Sequence, residues 1–449
     1  MKNTDLIHGS IMKSIIVFSI PLFISYLFQT FYNTADTFII GRFLGDTSLA
    51  AIGSVGAIYE LLIGFANGIG TGLTLVTSRY FGSGDRKLLR KSVAGTLMIG
   101  FFFAIVIAFF GYVLIDPLMS ILKTPEDIYF EARSYIVIII SYSVFIFAYN
   151  LFSGVLRAVG DSFRPLVFLI ISSLINIVLD YFFIAQLKMG VEGAAIATVI
   201  AQGISAALCL IYISVKRKEL IPDIDDFRIG KELFTEMTLQ GLSMGFMSSV
   251  VSLGSVILQY GINGLGTLTI AAHQAGRKVY NITMMPILGI SLAMPTFVGQ
   301  NAGAGEYGRI KKALIYTYII DAILALFITV LTFIFGRQLV AFVSGSNKEL
   351  VLNNAYYYIL VAAPFFGVLG PLLTTRNSLQ ALGEKFVPLI SSFIECAGKI
   401  VFCFVFIPLF GYNAVIFCEP LIWCVMTVQL VYTIMNLDVI KYASCSNSI

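Results

Sequence analysis

The sequence has few of the residues from which soluble domains and enzyme active sites are built. Only 12% of its 449 residues are charged and 58% are hydrophobic, whereas soluble domains carry roughly 25% charged residues. It contains two histidines and six cysteines, and no two cysteines have the Cys-x-x-Cys spacing of a metal or redox motif. It has no Walker loop, no His-Glu-x-x-His and no nucleophile–base signature. We therefore expect a membrane protein that is not an enzyme, has no cofactor and binds no nucleic acid.

Apolar runs that could cross a bilayer as helices, which takes ~20 residues, occur twelve times. Short polar connections separate them, and the longest, 216–232, is rich in charge. The sequence predicts an all-α membrane protein with an N-lobe of six helices at 1–215, a cytoplasmic linker at 216–232, and a C-lobe of six helices and a short tail at 233–449. The predicted segments are 13–36, 47–78, 92–116, 130–156, 163–185, 191–215, 233–262, 268–298, 310–336, 351–375, 386–408 and 412–436.

Lysine and arginine are unevenly distributed between alternate connections. With the N-terminus placed inside, the inner segments hold 20 of these residues, including Arg376 in a loop at 376–385, and the outer loops hold 6. Basic residues are enriched in cytoplasmic loops. We expect a multi-pass plasma-membrane protein, embedded in the lipid bilayer as a monomer, with both termini in the cytoplasm.

The two halves of the chain repeat each other. Gly45-Asp-Thr-Ser-Leu-Ala-Ala in the first half is similar to Gly266-Thr-Leu-Thr-Ile-Ala-Ala in the second. Later in each half, Arg157-Ala-Val-Gly-Asp-Ser-Phe-Arg-Pro-Leu is similar to Gln380-Ala-Leu-Gly-Glu-Lys-Phe-Val-Pro-Leu. Units of six segments enter the membrane from the same side, so the pattern predicts parallel repeats related by a pseudo-two-fold axis along the membrane normal. Such duplication is typical of transporters in which one lobe rocks on the other.

Asn176 and Asp180 lie deep within the fifth apolar segment. Their i, i+4 spacing places both on one helical face. A carboxylate in hydrocarbon costs on the order of 3 kcal/mol even on the milder insertion scales, and such residues usually face a protein interior or a hydrated cavity. The alternative is a permanently protonated Asp180 that is bonded to a neighbour. We expect that the pair marks an ion pathway.

Asp36 lies near the outer end of the first segment, which runs in the same direction as the fifth, so its carboxyl group and that of Asp180 are expected at similar depth. Gln29 and Asn33 share its helical face, and Thr198 could add a hydroxyl oxygen. Two acids and an amide suit a shared proton or a hard cation, for which the oxygens of Asp36 and Asp180 would be ligands. The alternatives are a solvated helix end for Asp36 and a bond from Thr198 to its own backbone.

Three stretches resemble the multidrug and toxic compound extrusion (MATE) family: 32–53 (YNTADTFIIGRFLGDTSLAAIG), 153–165 (SGVLRAVGDSFRP) and 176–184 (NIVLDYFFI). The resemblance covers essentially the whole chain. It implies two lobes around a cleft, from which drugs leave in exchange for Na+ or H+. It further implies a cation site at Asp36, Asn176, Asp180 and Thr198, and lobe-lining positions at Gln29, Gln202 and Asn150, with Asn33 as a further cleft candidate.

The C-terminal half lacks a matching acidic cluster. One branch of the family has acids in the seventh and tenth segments. Here the stretch 241–250 of the seventh segment contains no acid, and the tenth segment has none until Glu384 beyond its end. The repeat alignment places Ile257, Lys399 and Cys403 opposite Asp36, Asn176 and Asp180, respectively. We therefore expect the coupling ion to bind in the N-lobe only.

The eleventh segment contains Glu395 and Lys399 at i, i+4, with the glutamate first, which is the favourable order. The pair could be a buried ion pair that neutralises itself. Alternatively, both residues belong to the substrate cleft. Glu395 would then attract a cationic drug, and Lys399 would pair with Glu395 again once the drug has left. Glu419 is interpreted as a lone acid or a kink beside Pro420, and Arg277 is expected at the outer mouth of the cleft or bonded to carbonyls.

Together these features predict an antiporter that exports cationic or amphipathic xenobiotics in exchange for H+ or Na+. One alternative is a lipid-linked precursor flippase of the related superfamily, which would need a strongly cationic cleft for pyrophosphate. Another is a membrane binding protein that does not transport.

Overall fold

The structure is a computed structural model that describes residues 4–122, 124–345 and 348–437. Lys123 and the tail after 437, which contribute to the predicted topology, lie outside the described residues. All regular secondary structure of the described part is helical. Its α-helices are α1 (Ile11–Phe43), α2 (Asp46–Ser54), α3 (Gly56–Gly82), α4 (Arg86–Ile121), α5 (Glu126–Ser141), α6 (Ser143–Ala158), α7 (Phe163–Asp180), α8 (Val191–Lys216), α9 (Lys231–Asn263), α10 (Thr267–Gly303), α11 (Tyr307–Ser344), α12 (Glu349–Ala381), α13 (Phe386–Val401), α14 (Ile407–Phe410) and α15 (Tyr412–Asn436).

Each predicted apolar segment coincides with one helix or with a broken helix. Among the described residues, eleven helices are long and apolar enough to span a bilayer. A twelfth span is obtained when α5 and α6, which meet at 45°, are counted as one. Most helices extend beyond the predicted apolar runs, as in α11, which has 38 residues. The predicted all-α, multi-pass fold class is confirmed.

The internal repeat is visible in the backbone. Helix α7 continues into a π-helical turn, Tyr181–Gln186, and α13 continues into another, Phe402–Phe406, at the corresponding position of the second repeat. Four pairs of glycines with positive φ occupy matching connections of the two halves, where only glycine adopts the left-handed backbone without strain. The pairs are Gly45 and Gly266, Gly84 and Gly305, Gly160 and Gly383, and Gly190 and Gly411.

The chain forms two compact units. Unit 1 contains Ile20–Ser249, together with the residues up to Ile7, and unit 2 contains His8–Ser19 and the chain from Val250 onward. The segment predicted as a linker, 216–232, belongs to unit 1. Within it, Asp223 accepts a hydrogen bond from Arg90 of α4 at 2.6 Å. The lobe boundaries predicted from the sequence stay a prediction.

Within unit 1, α3 approaches the first part of α9 closely. A methyl group at Gly68 would lie 2.5 Å from the carbonyl oxygen of Met244, and one at Gly72 would lie 2.6 Å from that of Gln240. The two glycines are four residues apart and therefore line one face of α3. Small residues at this spacing let membrane helices pack backbone against backbone.

We expect the substitution Gly72→Ala to destabilise the protein by about 1–3 kcal/mol, because the added methyl group forces the two backbones apart. Thermal unfolding of the detergent-purified protein measures this effect. Gly64→Ala is the matched control, since a methyl group there meets no atom within 4 Å. Equal unfolding temperatures for the two variants would contradict the proposed close packing.

Candidate functional site

The two carboxyl groups predicted to bind a cation lie side by side in unit 1. Asp36 belongs to α1, which continues to Phe43, so this residue is not at a helix end. Asp180 is the last residue of α7, immediately before the π-helical turn. Their side chains are close enough to share a hydrogen bond once one of them carries a proton. Asp180 is fully buried, and Asp36 is half-buried.

Most polar atoms of this cluster lack a protein partner. Among the described residues, nothing forms a hydrogen bond with Oδ1 of Asp36, with either carboxyl oxygen of Asp180, or with Oδ1 and Nδ2 of Asn176. Buried polar groups are normally hydrogen-bonded, and leaving one unsatisfied costs about 1–3 kcal/mol. A proton or a hard cation between the two carboxyl groups would satisfy these oxygens, so the residues present fit the predicted ligand.

Asn176 lines a small cavity with two further predicted residues, Thr198 and Gln202. Tyr32, Leu169, Ser172, Ser173 and Ala201 complete its wall. Its free volume of about 10 Å³ is near the minimum of ~10–15 Å³ that holds one water molecule. Oε1 of Gln202 is also buried without a partner among the described residues. The structure therefore groups Gln202 with the predicted cation ligands, in a space that is too small for a drug.

The other predicted cleft residues of unit 1 do not line this cavity. Gln29 and Asn33 are exposed on α1. Asn150 donates hydrogen bonds to Oδ1 of Asn67 at 2.8 Å and to the carbonyl oxygen of Ile146 at 2.9 Å. Asn67 is an additional polar residue that the sequence analysis missed. The only feature of the sequence that could have indicated it is the presence of an amide side chain within an apolar segment.

In unit 2, the predicted Glu395–Lys399 pair is one link of a larger ion network. Nζ of Lys399 lies 2.8 Å from Oε1 of Glu395 and 3.9 Å from Oε1 of Glu419. Arg277 contacts Glu419 at 2.7 Å, and Nη1 of Arg376 lies 3.9 Å from Oε2 of Glu395. Positive and negative charges thus alternate through five side chains from four helices, which we call the charge ladder: Arg277, Glu419, Lys399, Glu395 and Arg376.

The family model MatE matches this chain twice, at residues 21–182 and again at residues 244–405. The two matched ranges fall in the two halves of the chain, as the repeat predicts. The chain belongs to the MATE family. This confirms the resemblance that the sequence motifs indicate.

Known relatives cover most of this MATE protein. It is 25% identical over 396 residues to the probable multidrug resistance protein YoeA of Bacillus subtilis, a match that covers 87% of this chain and 85% of the relative. It is 28% identical over 370 residues to the probable multidrug resistance protein YpnP of the same species, covering 82% of both. A crystal structure of MATE in the bent conformation has the same fold, with a TM-score of 0.91 at 23% identity over 99% of both chains.

The charge ladder corrects three expectations for this MATE protein. Arg277 bonds to the Glu419 carboxylate and to the Tyr358 hydroxyl at 3.2 Å, not to backbone carbonyls. Glu419 is therefore not a lone acid. Arg376 lies inside α12, five residues before its end, not in a loop. The sequence analysis missed these partners because they come from distant helices.

A further acid, Asp321, is buried within unit 2 without a cationic partner among the described residues. Its Oδ2 accepts a weak hydrogen bond from the Thr374 hydroxyl at 3.5 Å, and its Oδ1 has no partner in the described part of the chain. Gly370 packs directly on it, since a methyl group there would lie 2.5 Å from its carboxyl carbon. A carboxyl group in this position is stable in its neutral form.

We expect Lys399→Met to destabilise the protein more than the double substitution Lys399→Met with Glu395→Gln. The single change leaves the Glu395 carboxylate with only Arg376 at 3.9 Å, and breaking a buried pair costs about 3–5 kcal/mol. The double change removes both charges. Thermal unfolding in detergent compares the two variants, and a double variant that is less stable than the single one would show that Glu395 does not depend on Lys399.

Proposed function

We propose that this MATE protein is an antiporter of the cell membrane that exports cationic and amphipathic drugs in exchange for H+ or Na+. The observation that carries the proposal is the pair of neighbouring carboxyl groups, Asp36 and Asp180. Oδ1 of Asp36 and both carboxyl oxygens of Asp180 are buried and lack a partner among the described residues. The names of the relatives, which are multidrug resistance proteins, support drugs as the transported class. They also favour efflux over a lipid-linked precursor flippase or a binding protein that does not transport.

Occupancy of the carboxyl pair would control the conformation of unit 1. Two carboxylates side by side repel each other, and the repulsion is strong where water is scarce. A proton or Na+ from outside removes this repulsion and allows α1 and α7 to pack together. Loss of the ion favours a hydrated, more open arrangement.

Coupling requires that the ion and the drug oppose each other. If ion binding lowers drug affinity by some factor, drug binding lowers ion affinity by the same factor. Ion entry then drives drug release, and alternating access converts the ion gradient into export. The ligands for Na+ would be the oxygens of Asp36, Asp180, Asn176 and Thr198, whereas a proton needs only the two carboxyl groups.

We expect Asp180→Asn to abolish drug resistance while membrane expression stays intact. An amide has the shape of the carboxyl group, but it releases no proton and carries no negative charge to balance a bound cation. Minimum inhibitory concentrations in cells that lack their own pumps measure the effect, together with immunoblots of membranes.

The control for this variant is Asp127→Asn, which removes an exposed acid in the first turn of α5. It should retain resistance close to that of the wild type. Wild-type resistance in the Asp180→Asn variant would remove this residue from the mechanism.

The coupling ion can be identified with purified protein in proteoliposomes. Ethidium movement is followed by fluorescence after imposing a Na+ gradient at constant pH or a pH gradient without Na+. We expect one of the two gradients to accelerate ethidium transport several-fold, and Asp36→Asn to abolish this acceleration. A rate of ethidium transport that depends on neither gradient would contradict antiport.

A further inference from the structure

Arg376 is the least satisfied cation of the charge ladder. Its Nη1 lies 3.9 Å from Oε2 of Glu395, which is beyond hydrogen-bonding distance. Its Nε and Nη1 are buried and have no hydrogen-bond partner among the described residues. Arg277, at the other end of the ladder, has both Glu419 at 2.7 Å and the Tyr358 hydroxyl at 3.2 Å. Because unpaired buried charge is costly, Arg376 requires an acceptor that the described residues do not supply.

The charge balance of the ladder identifies the kind of acceptor. The ladder contains three cations and two carboxylates. In the short contacts, one carboxylate pairs with Arg277 and the other pairs with Lys399. One positive charge therefore remains at Arg376. A guanidinium group presents its N–H donors in a planar fork that matches a carboxylate or a phosphate group. The missing partner is thus an anion with two or more oxygens.

We propose that Arg376 is an anion-recognition site of unit 2, which takes the carboxylate or phosphate group of an amphipathic molecule. Glu395 competes with this anion for the guanidinium group, because Oε2 of Glu395 already faces it. Nε and Nη1 of Arg376 are buried, but the side chains of Arg376 and Glu395 keep 14% and 13% exposure, so an anion would approach from the exposed part of these side chains.

The proposal assigns Arg376 to the acidic group of an amphipathic substrate, and it rests on the proposed antiport function for the amphipathic nature of the ligand. It also reverses one of the two roles that the sequence analysis leaves open for Glu395, namely the attraction of a cationic drug. If this glutamate attracted cationic drugs, its removal would weaken drug binding. If it competes with an anionic group, its removal strengthens the binding of acids.

The test uses two fluorescent probes that differ only in one acidic group. Rhodamine B carries a carboxylate, and its ethyl ester does not. Fluorescence polarisation gives the dissociation constant of each probe for the purified full-length protein in neutral detergent, without any ion gradient. The quantity of interest is the preference for the acid, which is the ratio of the ester's dissociation constant to that of rhodamine B.

We expect the wild type to prefer rhodamine B by about tenfold or more, as is usual for hydrogen bonds to charged groups. Arg376→Gln should reduce the preference to about one, Arg376→Lys should give an intermediate value, and Glu395→Gln should increase it. The matched control is Arg337→Gln, which removes an arginine that pairs with Glu349 and is 50% exposed. It should keep the wild-type preference.

A second measurement distinguishes a drug from a lipid as the source of the anion. Thermal unfolding is recorded with added phosphatidylglycerol or with added phosphatidylcholine. If phosphatidylglycerol stabilises the wild type more than it stabilises Arg376→Gln, while the acid preference is absent, a lipid phosphate fills the same site and the proposal stands with that ligand.

The proposal is overturned if neither the acid preference nor the lipid effect depends on Arg376. It is also overturned if Glu395→Gln lowers the preference for the acid while Arg376→Gln leaves it unchanged. These results are independent of gradient-driven ethidium transport, so antiport and anion recognition can fail separately.

Discussion

The high free energy of a charge in hydrocarbon is the constraint on which this structure depends. Every ionised group within a membrane helix needs an opposite charge, hydrogen bonds or access to water. The two units meet this requirement in different ways. In unit 1, Asp36 lies beside Asp180 and neither carboxyl group forms a salt bridge among the described residues, which is why we propose that a mobile ion neutralises the pair. Unit 2 surrounds Glu395 and Glu419 with side chains that carry a fixed positive charge.

The contrast is clearest at one position of the repeat. Asn176 and Lys399 occupy corresponding positions in the two halves, and each lies shortly before a π-helical turn. Asn176 supplies an amide to a cluster that lacks a cation, whereas Lys399 supplies the cation itself and is only 3% exposed. A covalently held ammonium group does not exchange with the solvent. The duplicated scaffold therefore has a fixed ion pair in unit 2 at the position where, in unit 1, we propose an exchangeable ion.

Small residues allow close helix packing in both units. Gly68 and Gly72 let α3 touch the backbone of α9 in unit 1. In unit 2, Gly254 of α9 lies against the side chain of Lys399, where a methyl group would stand 3.1 Å from its Cδ. Small residues at helix contacts permit this approach. Low water content strengthens each electrostatic interaction and raises the cost of each unpaired group.

The sequence by itself determined the membrane class, the twelve apolar segments and the repeat, and it identified Asp36, Asn176 and Asp180 as candidate ion ligands. These features follow from local properties, namely hydropathy, helical periodicity and the rarity of acids in apolar runs. Only the tertiary structure decided which charges meet in unit 2. Arg277 and Glu419 are 142 residues apart in the chain, and Arg376 lies beyond the apolar run that predicted its helix. A hydrophobic pattern states which residues are buried, whereas the partner of a buried charge depends on which helices pack together.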